Sequence, residues 1–338
     1  MKIDLIIPVY NNKLGLYRSL FSLGADAKDL IDVTIVDDAS SEDYSSIVEF
    51  FQQFVPIRLL KLEKNVGPGL ARQYGIDNTN NPYIMFLDCG DYFITPDNIS
   101  MIMNTIQNNA FVHLFCFGHT QNITVNAGCH QNRMHGKIYK RSFLNTHNIR
   151  FNPYGSYLNE DVGFNMAVKL ILYQYERDLN QSFIYWDDTP VIAWDTREKE
   201  SLARHNNNEP YYNKQNYALA VNGGYAIDIA RRECVSDPII AHEIYEIICD
   251  MYFKYLSTVS VRQEFTENAL NGARKFYWEY FRPLQIHFQD DLIKMYYDTL
   301  IQYLNDEYDP IRTKLTALDL VGFLNLLEEQ KPIEINAD

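Results

Sequence analysis

The sequence predicts an α/β fold: a doubly wound, mostly parallel sheet followed by a helical C-terminal domain. Three observations carry that prediction. Short unbroken apolar runs recur up to residue 95, separated by stretches of helical spacing. Several of those runs end on acids. From about residue 216 the apolar residues fall at helix spacing instead. A continuous apolar run marks a strand covered on both faces, the usual state of a parallel strand. Alternation of such strands with helices builds right-handed crossovers over one sheet.

IDLIIPVY (3–10) is the first strand, and a helix follows at 13–23 with Leu14, Leu16, Leu20, Phe21 and Leu23 apolar. DVTIVDDAS (32–40) is the second strand. SEDYSSIVEFFQQF (41–54) opens with a Ser-Glu-Asp cluster suited to a helix start. IRLLKLE (57–63) is the third strand, and NVGPGLARQYGIDNT (65–79) is a Gly-Pro turn running into a helix. YIMFLDCGDYF (83–93) contains the fourth strand. AFVHLFCFGHT (110–120) reads as a strand, 135–170 as a mixed segment ending in a helix from about 160, and SFIYWDDTPVIAWD (182–195) as one or two strands. REKESLARHNNNEPYYNKQ (197–215) is polar and reads as a loop between domains of residues 1–205 and 206–338. In the second domain Ile240, Ile244, Ile247, Met251 and Tyr255 recur at helix spacing, as do Leu292, Met295, Tyr296, Leu300 and Leu304. TALDLVGFLNLLEEQ (316–330) is the last expected helix.

Composition narrows the class. The chain is 46% hydrophobic and 22% charged, ordinary for a soluble globular protein. Its 44 acidic and 30 basic residues give a net charge of −14. A field of that sign repels nucleic acid unless a local basic patch overrides it. Five scattered cysteines with no CxxC pair argue for reduced thiols and a cytoplasmic location. The apolar run in MKIDLIIPVYNN is too short for a signal segment, and no stretch approaches the ~20 apolar residues of a transmembrane helix.

Three polar groups collect at the carboxyl ends of predicted parallel strands: Pro8–Asn11, Asp37–Asp38, and Asp88-Cys89-Gly90-Asp91. Those ends share one edge of a parallel sheet, so the groups converge in space although they lie far apart in sequence. A tyrosine ring there can stack on a base, and carboxylates can meet a ribose, a sugar, or a diphosphate through Mg²⁺ or Mn²⁺. Neither GxGxxG nor GxxxxGK[ST] is present, which argues against a dinucleotide or P-loop site.

IIPVYNN, VDDASSED, NVGPGLARQYGI, FLDCGD and NEDVGFN, in that order, resemble the motifs of the family 2 glycosyltransferases with the GT-A fold. The resemblance covers residues 1–205 and implies a GT-A-like sheet and an inverting transfer of a sugar from a nucleotide-diphosphate donor, UDP-linked, to an acceptor hydroxyl. It implies that Pro8 and Tyr10 lie against the base and Asp38 bonds it. Asn65 and Arg72 would line the donor pocket, and Asp88 would reach the ribose or donor sugar. Glu160-Asp161 matches the motif whose Asp is the catalytic base, with Glu160 orienting it or binding acceptor. A divalent metal, Mn²⁺ or Mg²⁺, is implied too. Gly90 stands where many relatives carry the metal-binding acid, which leaves Asp88, Asp91 and His205 as candidate ligands. HGKIYKRSFLNTHNIRFN resembles the acceptor-side segment of the family.

The acceptor expected from the resemblance is a surface glycan, with a modified base of phage DNA as an alternative. A nucleotidyltransferase making NDP-sugars and a non-catalytic nucleotide-sugar binding module are the other readings. The helical domain would bind acceptor or mediate homo-oligomerisation. Each candidate has a structural role to weigh against these. Asp91 and Asp161 could cap a turn or a helix start, Arg72 could be a surface side chain, and His205 a loop histidine. The aromatic run FYWEYFRP (276–283) reads as core or interface.

Overall fold

The computed structural model describes residues 1–121, 125–126, 133–154, 158–194, 211–260, 266–287 and 317–332. His205 and the periodic set from Leu292 to Leu304 lie outside them. The chain divides into two compact units, Met1–Asn206 and Asn207–Asp338.

The first unit is built on β1 (Ile3–Val9), whose seven residues are all buried. β2 (Ile31–Asp37) and β4 (Tyr83–Phe86) pair with it in parallel on either side. β3 (Ile57–Lys61) adds in parallel outside β2 and is half-exposed, as an edge strand is. Four helices connect these strands: α1 (Lys13–Phe21), α2 (Ala27–Leu30), α3 (Ser45–Phe51) and α4 (Pro68–Asp77). Asn12 caps α1, its side-chain oxygen accepting from Gly15 N at 2.7 Å. Gly67 at φ 85° and Pro68 set the start of α4, where proline loses no helical hydrogen bond.

Beyond β4 the sheet turns mixed. The further elements are β5 (Tyr92–Phe93), α5 (Asn98–Asn108), β6 (Leu114–Gln121), β7 (Val125–Asn126), β8 (Lys137–Lys140), α6 (Arg141–Thr146), α7 (Glu160–Leu179) and β9 (Ile184–Trp194). The strand order is β3-β2-β1-β4-β8-β6-β9-β5, with β7 on β6. β8 runs antiparallel to both β4 and β6, and β6 pairs with β9 in parallel. The described part of the segment 182–195 holds one strand, Ile184–Trp194, and its polar Asp-Asp-Thr-Pro centre is a register shift beside Gly118. Gly118 is required there, since a Cβ would lie 2.3 Å from the Asp188 carbonyl oxygen.

The amino end of the sheet holds a buried carboxylate, Asp4. Arg141 Nη2 pairs with it at 2.7 Å, and Asn81 donates its backbone N–H and side-chain amide to it at 2.8 and 2.7 Å. Arg141 also donates to the carbonyls of Asn81 and Ile76, joining α6 to the α4–β4 connection. Arg141→Ala is expected to lower unfolding free energy by about 3–5 kcal/mol, because Asp4 stays buried without its cation. Urea denaturation checks this.

The second unit contains α8 (Tyr211–Arg232), α9 (Asp237–Ser260), α10 (Glu267–Phe276) and α11 (Ala317–Glu328), with a π-helical turn at Tyr277–Phe281 after α10. Ile240, Ile244, Ile247 and Met251 form the buried stripe of α9 that their spacing predicted. From the aromatic run, Phe276, Tyr277 and Phe281 are buried as core of this unit. No helix among the described residues is long and apolar enough to cross a membrane.

Candidate active site

The carboxyl ends of β1, β2 and β4 converge on one edge, as parallel pairing requires. After β1, Pro8 is buried and Tyr10 is exposed. Asn11 takes φ 47°, and its N–H donates to Ser40 Oγ at 2.9 Å, tying the β1 loop to the β2 loop. After β2, Asp37 accepts from Ser40 N and pairs with Lys61, while buried Asp38 faces the start of α4. The two Asp38 carboxylate oxygens accept from Val66 N at 2.7 Å and Gly67 N at 2.8 Å. Burial holds the Asp38 carboxyl above its usual value, against these two hydrogen bonds. Asp38 thereby shapes the loop carrying exposed Asn65 and leading to Arg72.

Arg72 is the hub. It sits on α4, 3% exposed, where a surface arginine would be the default. Its Nη2 reaches Asp88 Oδ1 at 2.5 Å and its Nη1 reaches Glu160 Oε1 at 2.7 Å. Its guanidinium also lies 5.9 Å from the centre of the Phe151 ring. One planar fork thus joins the β4 loop to the first turn of α7. Burial would raise Asp88, but the charges of Arg72 and His135 outweigh it and hold the carboxyl below the usual range. Burial pushes Glu160 the other way, aided by the Asp161 charge and opposed by Arg72, to about 7.

Asp161 follows Glu160 on α7. Burial raises its carboxyl above the ordinary range, with Asp88 pushing the same way and Arg72 opposing. Its Oδ1 accepts from Val162 N at 2.9 Å. Tyr139 of β8 donates to Asn165 Oδ1 at 2.7 Å, and Asn165 Nδ2 donates to the Asp161 carbonyl at 2.9 Å. The tyrosine of the KIYK segment therefore holds the start of α7 in place.

The raised Glu160 value has a consequence for stability. A carboxyl whose folded-state value lies above its unfolded 4.5 stabilises the fold fully below pH 4.5, and that stability is lost as pH rises through about 7. Glu160→Gln removes this dependence. Denaturation at pH 5 and pH 7.5 should show the wild type losing on the order of 2 kcal/mol relative to Glu160→Gln over that window.

Gly90 has φ 107°, a conformation in which a side chain at this position would be strained. Its N–H donates to Ser19 Oγ at 3.0 Å, Ser19 Oγ donates to the Asp91 carbonyl at 2.6 Å, and Asp91 N–H donates to the Asp88 carbonyl at 2.9 Å. This turn brings Asp88 and Asp91 to His135, with donor atoms of all three within 4.8 Å of one another. Phe86, Leu87, Met134 and Ile192 line the same small cleft. Two carboxylates and an imidazole form a donor set suited to a divalent cation. Pro8, Tyr10, Asp38 and Asn65 gather along the loops at the strand ends, while Arg72, Asp88, Asp91, Glu160 and Asp161 form the charged centre. His135 was not among the expected residues; its one sequence signal is that it opens the HGKIYK segment, directly before Gly136.

Comparison with known proteins gives a family likeness for the first unit. Residues 4–162 match the model of glycosyl transferase family 2. An uncharacterized glycosyltransferase of Rickettsia bellii is 31% identical over 119 residues, 35% of this chain and 16% of the relative. The poly(ribitol-phosphate) beta-N-acetylglucosaminyltransferase TarS of Staphylococcus aureus is 30% identical over 95 residues, 27% of this chain and 17% of the relative. The chain thus spans less than a fifth of the length of these two curated relatives. The crystal structure of S. aureus TarS 1–349 in complex with UDP-GlcNAc superposes with a TM-score of 0.63 at 16% identity, covering 97% of this chain and 91% of that one. The Pyrobaculum calidifontis mannosyltransferase PcManGT, solved with GDP-Man and Mn²⁺, has a TM-score of 0.51 at 12% identity, covering 84% and 82%. These likenesses show a shared GT-A fold. The match to glycosyl transferase family 2 covers residues 4–162, just under half of the chain, and the motifs at the strand ends lie within that stretch.

Proposed function

We propose that this protein is an inverting glycosyltransferase that moves a sugar from a UDP-linked donor to an acceptor hydroxyl. The observation that carries the reading is the Arg72 fork, which holds the Asp88 loop and the Glu160-Asp161 turn as one charged centre. Pro8, Tyr10 and Asp38 receive the uracil, with Asn65 beside it on the loop that Asp38 holds. Asp88 meets the ribose or the donor sugar, and Glu160 orients Asp161 or binds acceptor. The Asp161 carboxylate takes the proton of the acceptor hydroxyl as that oxygen attacks the anomeric carbon and the bond to the diphosphate breaks. Its raised affinity for protons suits that task.

The residues present fit a divalent cation. Asp88, Asp91 and His135 offer convergent donor atoms, and the Asp88 oxygen bonded to Arg72 leaves its second oxygen to offer. When bound, the ion offsets charge on the leaving diphosphate.

The acceptor proposed is a surface glycan, in keeping with the ribitol-phosphate polymer in the name of the TarS relative. The helical unit would bind that acceptor or join copies of the chain. No disulfide joins the four described cysteines, in keeping with action in the cytoplasm. A hydrolysis and transfer screen over UDP-, GDP- and TDP-sugars, with and without Mn²⁺, tests the reading. Turnover of a UDP-sugar supports it, and inertness toward every nucleotide sugar would favour a binding module or another activity.

A further inference from the structure

We infer that His135 is the third protein ligand of the divalent cation, beside Asp88 and Asp91, and that its nitrogen biases the site toward a first-row transition ion such as Mn²⁺ over Mg²⁺. The inference deepens the donor-site reading above and rests on it.

Between the two acids, Gly90 turns at φ 107° and offers no side-chain donor, so a third side-chain ligand has to come from another part of the chain. His135 lines the same cleft and sits just before β8. Its side chain is 10% exposed, and its Nε2 lies 3.0 Å from Asp91 Oδ2. Despite that approach, neither ring nitrogen makes a hydrogen bond of acceptable geometry. Buried polar atoms in that state are costly unless something else bonds them. Two atoms that close, aimed past each other, suit adjacent ligands of one ion. With metal–ligand bonds of about 2.1 Å, neighbouring ligand atoms of an octahedron lie roughly 3 Å apart.

The ring is held for this position. It stacks on His119 with centroids 5.0 Å apart and planes 16° apart, and lies against Trp194 at 5.5 Å. Gly136 allows the approach: at φ 68° it takes a turn other residues resist, and a Cβ there would sit 2.4 Å from the Phe117 carbonyl oxygen. Glycine next to the histidine is thus a packing requirement of β8 against β6. The donor chemistry sets the preference. Mg²⁺ favours oxygen ligands, whereas an imidazole nitrogen suits first-row transition ions.

The test uses the full chain and Mn²⁺ as probe, with UDP added in a second arm. Electron spin-echo envelope modulation of bound Mn²⁺ should show coupling to a directly bound ¹⁴N, and Mn²⁺ should bind at least about tenfold tighter than Mg²⁺ in competition. His135→Ala should abolish that coupling and weaken Mn²⁺ about tenfold or more, with an unchanged far-UV circular dichroism spectrum. His135→Asp, which keeps a ligand should the alanine variant fail to fold, should bind Mn²⁺ without the nitrogen signal and with a reduced preference over Mg²⁺. Bound Mn²⁺ without ¹⁴N coupling in the wild type, or unchanged coupling in both variants, overturns the inference. Turnover of a UDP-sugar in a protein that lacks the coupling overturns it while leaving the donor-site reading intact. Coupled Mn²⁺ in a protein inert to every nucleotide sugar upholds the ligand assignment and overturns the donor-site reading instead.

Discussion

Asp161→Asn is expected to lower kcat by about 10²–10⁴-fold, the range for removal of a general base, while leaving thermal stability unchanged or slightly raised. The two directions follow from one observation. Burial and the Asp88 charge disfavour the ionised Asp161 carboxylate in the folded protein. A neutral amide of the same shape relieves that penalty and can still accept from Val162 N–H at the helix start. It cannot take a proton from an acceptor hydroxyl. An acid present only to favour the α7 terminus would give the opposite pattern: a small loss of stability, about 0.3–1 kcal/mol, and unaltered turnover. Steady-state kinetics and a melting curve on the same preparation separate the two.

Arg72 should be the residue whose loss affects both fold and chemistry. Arg72→Met is expected to destabilise the first unit by about 3–5 kcal/mol, since Asp88 and Glu160 would remain in place without their shared cation. Those carboxyls would take up protons rather than stay charged, so the loss should be smaller at pH 5 than at pH 7.5. Arg72→Lys is the informative companion. Lysine keeps the charge but has no planar fork to reach two carboxylates at once, so stability should recover in part and turnover should not. In a double-mutant cycle, Glu160→Gln should offset part of the Arg72→Met loss, because one of the two stranded acids is gone. Urea denaturation of the four proteins measures that coupling, and full additivity would mean that Arg72 and Glu160 are not energetically linked.

Much of this fold was legible in the sequence. β1 to β4 were readable because each is a short apolar run in a chain whose helices interrupt it at regular intervals. The positions of Asp38, Asp88 and Asp161 followed from strand ends and motif order. Other features were hidden for definite reasons. β8 is four residues, KIYK, with a lysine at each end, and carries no apolar run to mark it. α5 has Ile99, Ile102, Met103 and Ile106 at helix spacing, but its polar, asparagine-rich face obscures them in a stretch where the alternation weakens. The Arg72 partnership spans 88 residues to Glu160 and 16 to Asp88. An arginine on a predicted helix gives no local sign that it is buried.

His135 was the hardest to read. A single histidine with no ligand spacing is ordinarily a core or surface side chain, and nothing in the linear order puts it beside Asp91. That neighbourhood arises from two long-range pairings, β8 with β6 and β8 with β4, and from a glycine that lets them close. Gly90, by contrast, looked like a deficiency in an acidic motif. Its φ of 107° and the Ser19 hydrogen bond explain it as the turn that aims Asp88 and Asp91 into one cleft.

On the reading proposed above, the strand-end loops and the Arg72 cluster form a donor site for a UDP-sugar. A crystal structure of the protein soaked with UDP and Mn²⁺ tests it most directly. Uracil is expected against Pro8, Tyr10 and Asp38, with the diphosphate beside Asp88 and His135. Uridine diphosphate bound elsewhere on the protein, or absent at concentrations that saturate UDP-sugar glycosyltransferases, would contradict it.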